Sequence, residues 1–297
     1  MPPPSPAEAV VVTPVMLRGW QLPHPDGTKE ARGRTLIIGG SAETPGAVLL
    51  AGEAALRAGA GKLQVATVAS AAPLVAAALP EALVRGLAET RAGAIAPDSA
   101  AHVVDLARDA ACVLVGPGMT DVDAIVDFLG RLLPELTRAV VIDALAMARM
   151  TADIGAVRHL DGRAVLTPNT SELAQTLGVP EEEVGEQPAG FAGWLAVEAN
   201  AVVAVGGTTS VVAAPDGRLW CDETGGPGLA VSGSGDVRAG ITAGLVARGA
   251  SPEQAAVWGT YLHGRAGERL AARVGGMGFL ARELLPEVPR VLAEVEH

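Results

Sequence analysis

The chain has 297 residues, of which 49% are hydrophobic, 19% charged and only 3% aromatic, and its net charge is −11. That balance builds a large core packed by Ala, Val and Leu, which suits a parallel sheet covered on both faces by closely approaching helices. It argues against a nucleic-acid or anionic-membrane partner, since both demand a basic surface, but not against a local nest of backbone N–H groups holding a phosphate.

The N-terminus, MPPPSPAEAVVV, lacks the basic start and long apolar stretch of a signal peptide. No run reaches the ~20 apolar residues needed to span a bilayer, so a cytoplasmic location is expected. Residues 1–34 read as an extended lead-in, with the polar, turn-rich stretch Leu22 to Arg34 lying across the surface. Residues 35–297 read as one domain, because strand and helix patterns then alternate with no long linker.

Thr35 to Gly40 (TLIIGG) is a short buried strand ending in glycines, and the run from Gly46 has helical spacing that stops at Gly59. Further strands are predicted at Leu63 to Val68, Cys112 to Gly116, Ala139 to Leu145, Ala164 to Pro168 and Ala201 to Gly207. Helical stretches such as DAIVDFLGRLL and PAGFAGWLAVEAN lie between them. This alternation predicts an α/β fold with a mostly parallel central sheet and helices on both faces, a three-layer sandwich. TSVVAAPDGRLWCD interrupts the pattern with a hairpin turning at Pro215-Asp216-Gly217. A helix over VRAGITAGLVARG closes at Gly249, and another opens at Ser251-Pro252-Glu253-Gln254 with an N-cap serine, a proline at N1 and a capping-box glutamine. Cys112 and Cys221 have no metal or redox spacing, and Cys112 reads as a small core residue.

The stretch Gly225 to Gly240, GGPGLAVSGSGDVRAG, carries the chemistry. A glycine-rich turn opening a helix exposes backbone N–H groups where the helix dipole also favours an anion. Gly233-Ser234-Gly235-Asp236 sets a carboxylate at that start, where a base would deprotonate a hydroxyl attacking a terminal phosphate. A capped helix behind a flexible loop explains the same spacing. The turn is neither a P-loop nor a Rossmann fingerprint, since GK[ST] is missing and the glycines follow a hairpin rather than the first strand.

From Leu22 to the C-terminus the chain resembles the ATP/ADP-dependent NAD(P)H-hydrate dehydratases, a branch of the ribokinase-like superfamily. The shared landmarks are LIIGGSAETPGAVLLAGEAALRAGAG (Leu36 to Gly61), GPG (Gly116 to Gly118), VIDA (Val141 to Ala144), LTPN with Glu172, the GSGD turn and LHGRAGE (Leu262 to Glu268). The resemblance implies a ribokinase-like fold and repair of NADH or NADPH hydrated at the nicotinamide C6. ATP or ADP phosphorylates the C6 hydroxyl, and phosphate then leaves. Asp236 is then the general base, and Gly233, Ser234 and Gly235 hold the transferring phosphoryl group. Ala47, Gly118 and Asn169 join Asp236 at the hydrate. Gly206, Gly207, Thr208, Thr209 and Ser210 flank the nucleotide, and Glu172 organises Mg²⁺ through water. His263 reads mainly as a helix-packing residue. A homo-oligomer, a tetramer in relatives, is the implied assembly.

Several positions depart from that pattern. Gly206 stands where a lysine is usual, Asn169 where histidine is usual, Gly226 replaces asparagine and Ser232 glycine. Leu145 replaces an aspartate, Thr120 a glycine, and Arg238 an aliphatic residue. The lost charge at 206 predicts that Gly206→Lys tightens nucleotide binding, with Arg238 a candidate compensating cation. Two alternatives stay open: a ribokinase-like small-molecule kinase without elimination, and a catalytically weak dinucleotide-binding protein.

Overall fold

In the computed structural model, which describes residues 8–25 and 27–296, ten strands form one sheet. They are β1 (Val10–Val11), β2 (Arg34–Ile38), β3 (Lys62–Val68), β4 (Ala82–Leu87), β5 (Cys112–Val115), β6 (Ala139–Ile142), β7 (Ala164–Leu166), β8 (Val202–Val205), β9 (Ser210–Ala213) and β10 (Leu219–Asp222). Their order across the sheet is β1-β10-β9-β8-β7-β6-β5-β2-β3-β4. Strands β2 to β8 pair in parallel, and β9 runs antiparallel to both neighbours as the arm of the predicted hairpin.

Burial on both faces explains the continuous apolar runs. In β5, Cys112 and Leu114 join one core while Val113 and Val115 join the other, and β2 and β6 divide their residues the same way. One core is roofed by the helices Gly46–Arg57, Ser234–Ala247 and Pro252–Val274, the other by helices that include Val122–Leu132 and Pro188–Ala199. Cys112 is fully buried, and burial pushes its thiol pKa up, as suits an inert core residue.

The chain order reverses between β2 and β5. From β2 the sheet grows one way through β3 and β4, and from β5 the other way through β6, β7 and β8. Above the carboxyl ends of such a pair lies a crevice that no crossover helix fills, where α/β sheets bind ligands.

Three elements differ from the sequence expectation. The lead-in contains β1 and a five-residue helix, Pro14–Arg18, whose N-cap Thr13 accepts a hydrogen bond from the Met16 N–H. Leu17 and Leu22 are buried, Trp20 stacks on Trp220 at 5.7 Å, and Trp258 Nε1 donates to the Trp20 carbonyl at 3.0 Å. Packing against the later hairpin and helix orders this segment, and only the Thr-Pro pair announced the helix locally. Strand β4 escaped prediction because an edge strand needs no apolar run, and in ALVRGL half-buried and exposed positions alternate until only Leu87 is buried. Gln254 is the third. Ser251 caps its helix as expected, but the Gln254 side chain turns away from it and donates to the carbonyls of Trp20 and Gln21. No helix among the described residues is long and apolar enough to cross a membrane.

Candidate active site

The helix Ser234–Ala247 packs side by side with Gly46–Arg57 at a spacing that only glycine allows. A Cβ at Gly240 would sit 2.8 Å from Ala51 Cα, and one at Gly244 2.8 Å from Ala55 Cα. Gly240 therefore meets Ala51 and Gly244 meets Ala55, so the two helices run in the same direction. Both amino termini then open on the same rim of the sheet, above the carboxyl ends of the strands.

The helix begins three residues before the apolar run, so Ser234, Gly235 and Asp236 form its first turn. Gly233 precedes it at φ +88°, and no side chain caps it. The Ser234 N–H goes to the Val231 carbonyl and the Val237 N–H to Gly233, while those of Gly235 and Asp236 have no partner among the described residues. Two free N–H groups at a helix amino terminus make an anion site. Asp236, in the same turn, accepts no hydrogen bond from the described residues, and burial raises its pKa from 3.8 to about 6.

A cleft of about 650 Å³ opens over this turn. Of the expected nucleotide and substrate residues, Asn169, Gly206, Gly207, Thr208, Ser210, Ser234 and Gly235 line it. Thr209 is exposed outside that lining, and Gly233 and Asp236 flank it from the helix start. Asn169 and Gly206 bridge the ends of β7 and β8, with the Gly206 N–H donating to the Pro168 carbonyl at 3.2 Å. Ala47 and Gly118 meet elsewhere on the rim, at the crevice between β2 and β5. A Cβ on Gly118 (φ +65°) would approach Ala47 Cβ to 2.8 Å, and Thr44 Oγ1 donates to the Gly118 carbonyl at 2.7 Å.

Glu172 does not stand free. Asn169 Oδ1 accepts from the Glu172 N–H at 2.8 Å, and Glu172 Oε2 accepts from the Asn169 N–H at 2.9 Å, a complete capping box on the helix Thr170–Leu177. His263 does more than pack helices: it lines the cleft and its Nε2 shares a 2.8 Å hydrogen bond with Ser234 Oγ. Burial, then the nearby Arg238 charge, lower its pKa to about 3, so the ring is neutral at physiological pH.

Sequence reasoning passed over Asp143 as a site residue and missed Thr224, Thr260 and the loop around Leu229. Asp143 ends β6 and accepts a 2.6 Å hydrogen bond from Thr167 Oγ1. Burial raises its pKa to about 7, against the pull of that bond and of Arg238, while Asp236 and Glu172 push it further up. Thr224, Thr260 and Leu229 line the cleft from the hairpin end, the long helix and a short turn. GGPG was the one local hint of that turn.

Arg238 is buried in the cleft wall, its guanidinium pressed against the Gly206 backbone. A Cβ at 206 would overlap Nη1 and lie 3.1 Å from Cζ. The room for a side chain at 206 is already filled by a cation from the neighbouring helix, so Gly206→Lys must displace the Arg238 guanidinium before it can add its own charge.

The family model for NAD(P)H-hydrate dehydratase matches residues 35–290. The chain belongs to that family. It is 47% identical over 287 residues to the ADP-dependent (S)-NAD(P)H-hydrate dehydratase of Xanthomonas campestris pv. campestris, covering 95% of each chain. Its fold superposes with a TM-score of 0.82 on the ADP/ATP-dependent NAD(P)H-hydrate dehydratase of Bacillus subtilis co-crystallised with ATP/Mg²⁺, at 27% identity over 97% of this chain and 99% of that one. A ribokinase-like superfamily protein from Enterococcus faecalis gives 0.82 at 23% identity over 97% and 96% of the two chains, a likeness of fold. The fold is ribokinase-like, as the sequence motifs implied.

Proposed function

We propose that this chain is an ATP- or ADP-dependent dehydratase of hydrated NADH and NADPH, with Asp236 as its base. The observation carrying this reading is the first turn of the helix Ser234–Ala247. There a carboxylate with a pKa of about 6 stands beside two unpaired N–H groups, at the edge of a cleft sized for a nucleotide. The nucleotide lies along Gly206 to Ser210, with its terminal phosphate at Gly235 and Asp236. The nicotinamide ring of the hydrate lies towards Ala47 and Gly118, so its C6 hydroxyl reaches Asp236 from the other side.

Asp236 takes the hydroxyl proton as that oxygen attacks the terminal phosphorus, and AMP or ADP leaves. The ring nitrogen's lone pair then expels phosphate from C6, and loss of a proton from C5 restores the double bond. Phosphorylation matters because hydroxide is a poor leaving group and phosphate a good one. The Gly235 and Asp236 N–H groups stabilise charge on the transferring phosphoryl oxygens.

Among the described residues no cluster of three or more His, Cys, Asp or Glu side chains forms a metal cage. Glu172, the capping partner of the cleft-lining Asn169, fits a Mg²⁺ held mainly by phosphate oxygens and water. Bound there, the ion would neutralise charge on the phosphates.

Incubating the enzyme with NADPH hydrate, Mg²⁺ and ADP or ATP is expected to restore the absorbance band of the reduced nicotinamide, and omission of nucleotide to abolish this. A phosphorylated hydrate that accumulates without the band would make the chain a kinase, and binding without turnover would make it a sensor. The reading extends to residues 35–297 acting as one catalytic domain, supported by the single sheet, which limited proteolysis into two stable halves would overturn. It also extends to a homo-tetramer, supported by exposed Val10, Val11 and Val15 near the sheet edge and checked by light scattering.

A further inference from the structure

Arg238 is 8% exposed, yet its guanidinium is poorly provided for by the protein. Nη2 donates to the Thr167 carbonyl at 3.0 Å, and Nε is buried with no partner. No carboxylate among the described residues lies within ion-pair distance of it, although Asp143 and Glu172 are near enough to raise its pKa against the larger effect of burial. An arginine keeps its charge in such a place, so the free protein holds a desolvated cation with N–H donors unspent. A buried cation kept only to support the fold is normally paired.

Its surroundings say what would pair it. The guanidinium lies in the wall of the cleft, against Gly206, on the same helix as the free N–H groups of Gly235 and Asp236. The cation and the helix start that carries the two backbone donors thus border the same cleft, and a Cβ on the strand end opposite would overlap Nη1. We propose that Arg238 is the phosphate-binding cation of this cleft and that Gly206 is the gap that admits it. The cation is delivered from the helix, and the end of β8 is kept bare to receive it. The proposal rests on the nucleotide reading above for which phosphate is bound, but not for the binding of phosphate itself.

The arrangement makes an unusual prediction about pairs of substitutions. Arg238→Met removes the cation and is expected to weaken ADP binding roughly 10- to 100-fold, the range for a charge-assisted bond. Gly206→Lys adds a cation where one already sits and is expected to weaken binding as well. The double variant Gly206→Lys/Arg238→Met moves the cation from helix to strand and is expected to bind ADP more tightly than either single variant. Titration calorimetry with ADP and with inorganic pyrophosphate on all four proteins, each checked for a cooperative melt, reads this directly. Arg238→Lys, which keeps the charge on a shorter stem, replaces Arg238→Met if the latter does not fold, with an expected loss of several-fold. Wild-type affinity in the Arg238 variants, or a double variant no better than Arg238→Met, overturns the proposal. Pyrophosphate binding that depends on Arg238 without any ADP binding keeps the phosphate site and sinks the adenine-nucleotide reading. ADP binding indifferent to Arg238 does the reverse.

Discussion

Glu287 and Arg238 are each almost wholly buried, at 1% and 8% exposure, and the chain treats them in opposite ways. Glu287, near the C-terminus, is held by three arginines: Arg269 Nε at 2.9 Å, Arg273 Nη1 at 2.9 Å and Arg290 Nη1 at 2.8 Å. Burial alone would raise its pKa, but the Arg269 bond and the three positive charges outweigh that and hold it below the ordinary value. That cluster pins the C-terminal helix to the long helix Pro252–Val274 and leaves nothing for a ligand to do. Arg238 has one carbonyl and an unpaired Nε. A charge whose partners are all inside the protein is part of the scaffold, and one left wanting them at a cleft is waiting for something from outside.

Asp236 belongs with Arg238 on the unsatisfied side, and its removal should produce the largest effect. Asp236→Asn is expected to lower turnover ~10²-fold or more while leaving ADP affinity nearly intact, the scale of losing a general base. It should also stabilise the fold at neutral pH. Burial raises the folded-state pKa from 3.8 to about 6, so between those values the folded protein holds a proton that the unfolded chain has released. Stability therefore falls as pH rises through that window, leaving the wild type roughly 1–3 kcal/mol worse off above it. Melting curves at pH 4 and pH 8 check this: the gain from Asp236→Asn should be present at pH 8 and absent at pH 4. In the wild type, kcat/KM should fall below about pH 6 as the base is protonated. An asparagine variant with wild-type turnover would remove Asp236 from the chemistry.

Glu287→Gln probes the satisfied side and should move stability alone. The three arginines lose their shared negative charge and one of its two acceptor oxygens, where an NH2 donor now faces a guanidinium, so a loss of about 1.5–3 kcal/mol is expected, with kcat and KM unchanged at temperatures where the variant is folded. The wild-type contribution is present above the ordinary glutamate pKa of 4.5 and disappears as pH falls below it, because the folded-state value is depressed. Denaturant melts at pH 7 and pH 3 check both parts. A change in ADP affinity would mean that this cluster communicates with the cleft and is not scaffold alone.

The fold was the more legible half in the sequence, since buried parallel strands write themselves as apolar runs and β2, β3 and β5 to β8 all do. Strand β4 was silent because an edge strand is half exposed, and the Pro14–Arg18 helix because it is ordered by tryptophans far along the chain. The glycine turn and Asp236 were legible as a motif. The filling of Gly206 by Arg238 was not, because contact between residues 32 positions apart follows from how a helix seats on a strand end. Asn169 and Glu172 show a third case: their spacing matches both a capping box and a metal-organising pair, and one carboxylate serves in both descriptions.

That double role yields the smallest and most discriminating test. Glutamine at 172 keeps an acceptor for the Asn169 N–H, so the capping box survives Glu172→Gln while the negative charge is lost. If the carboxylate only caps the helix, nothing else changes. If it also organises Mg²⁺ through water, the Mg²⁺ concentration giving half-maximal turnover should rise, since an ion held by phosphates and solvent still draws on a neighbouring negative charge. The expected outcome is a several-fold rise in that concentration, a melting free energy within about 0.5 kcal/mol of wild type and unchanged kcat at saturating Mg²⁺. Glu172→Ala supplies the control, because it removes both functions and should cost about 0.5–2 kcal/mol of stability in addition. A Mg²⁺ titration of Glu172→Gln that superposes on wild type would assign Glu172 to the scaffold, beside Glu287, as a charge whose needs the protein already meets.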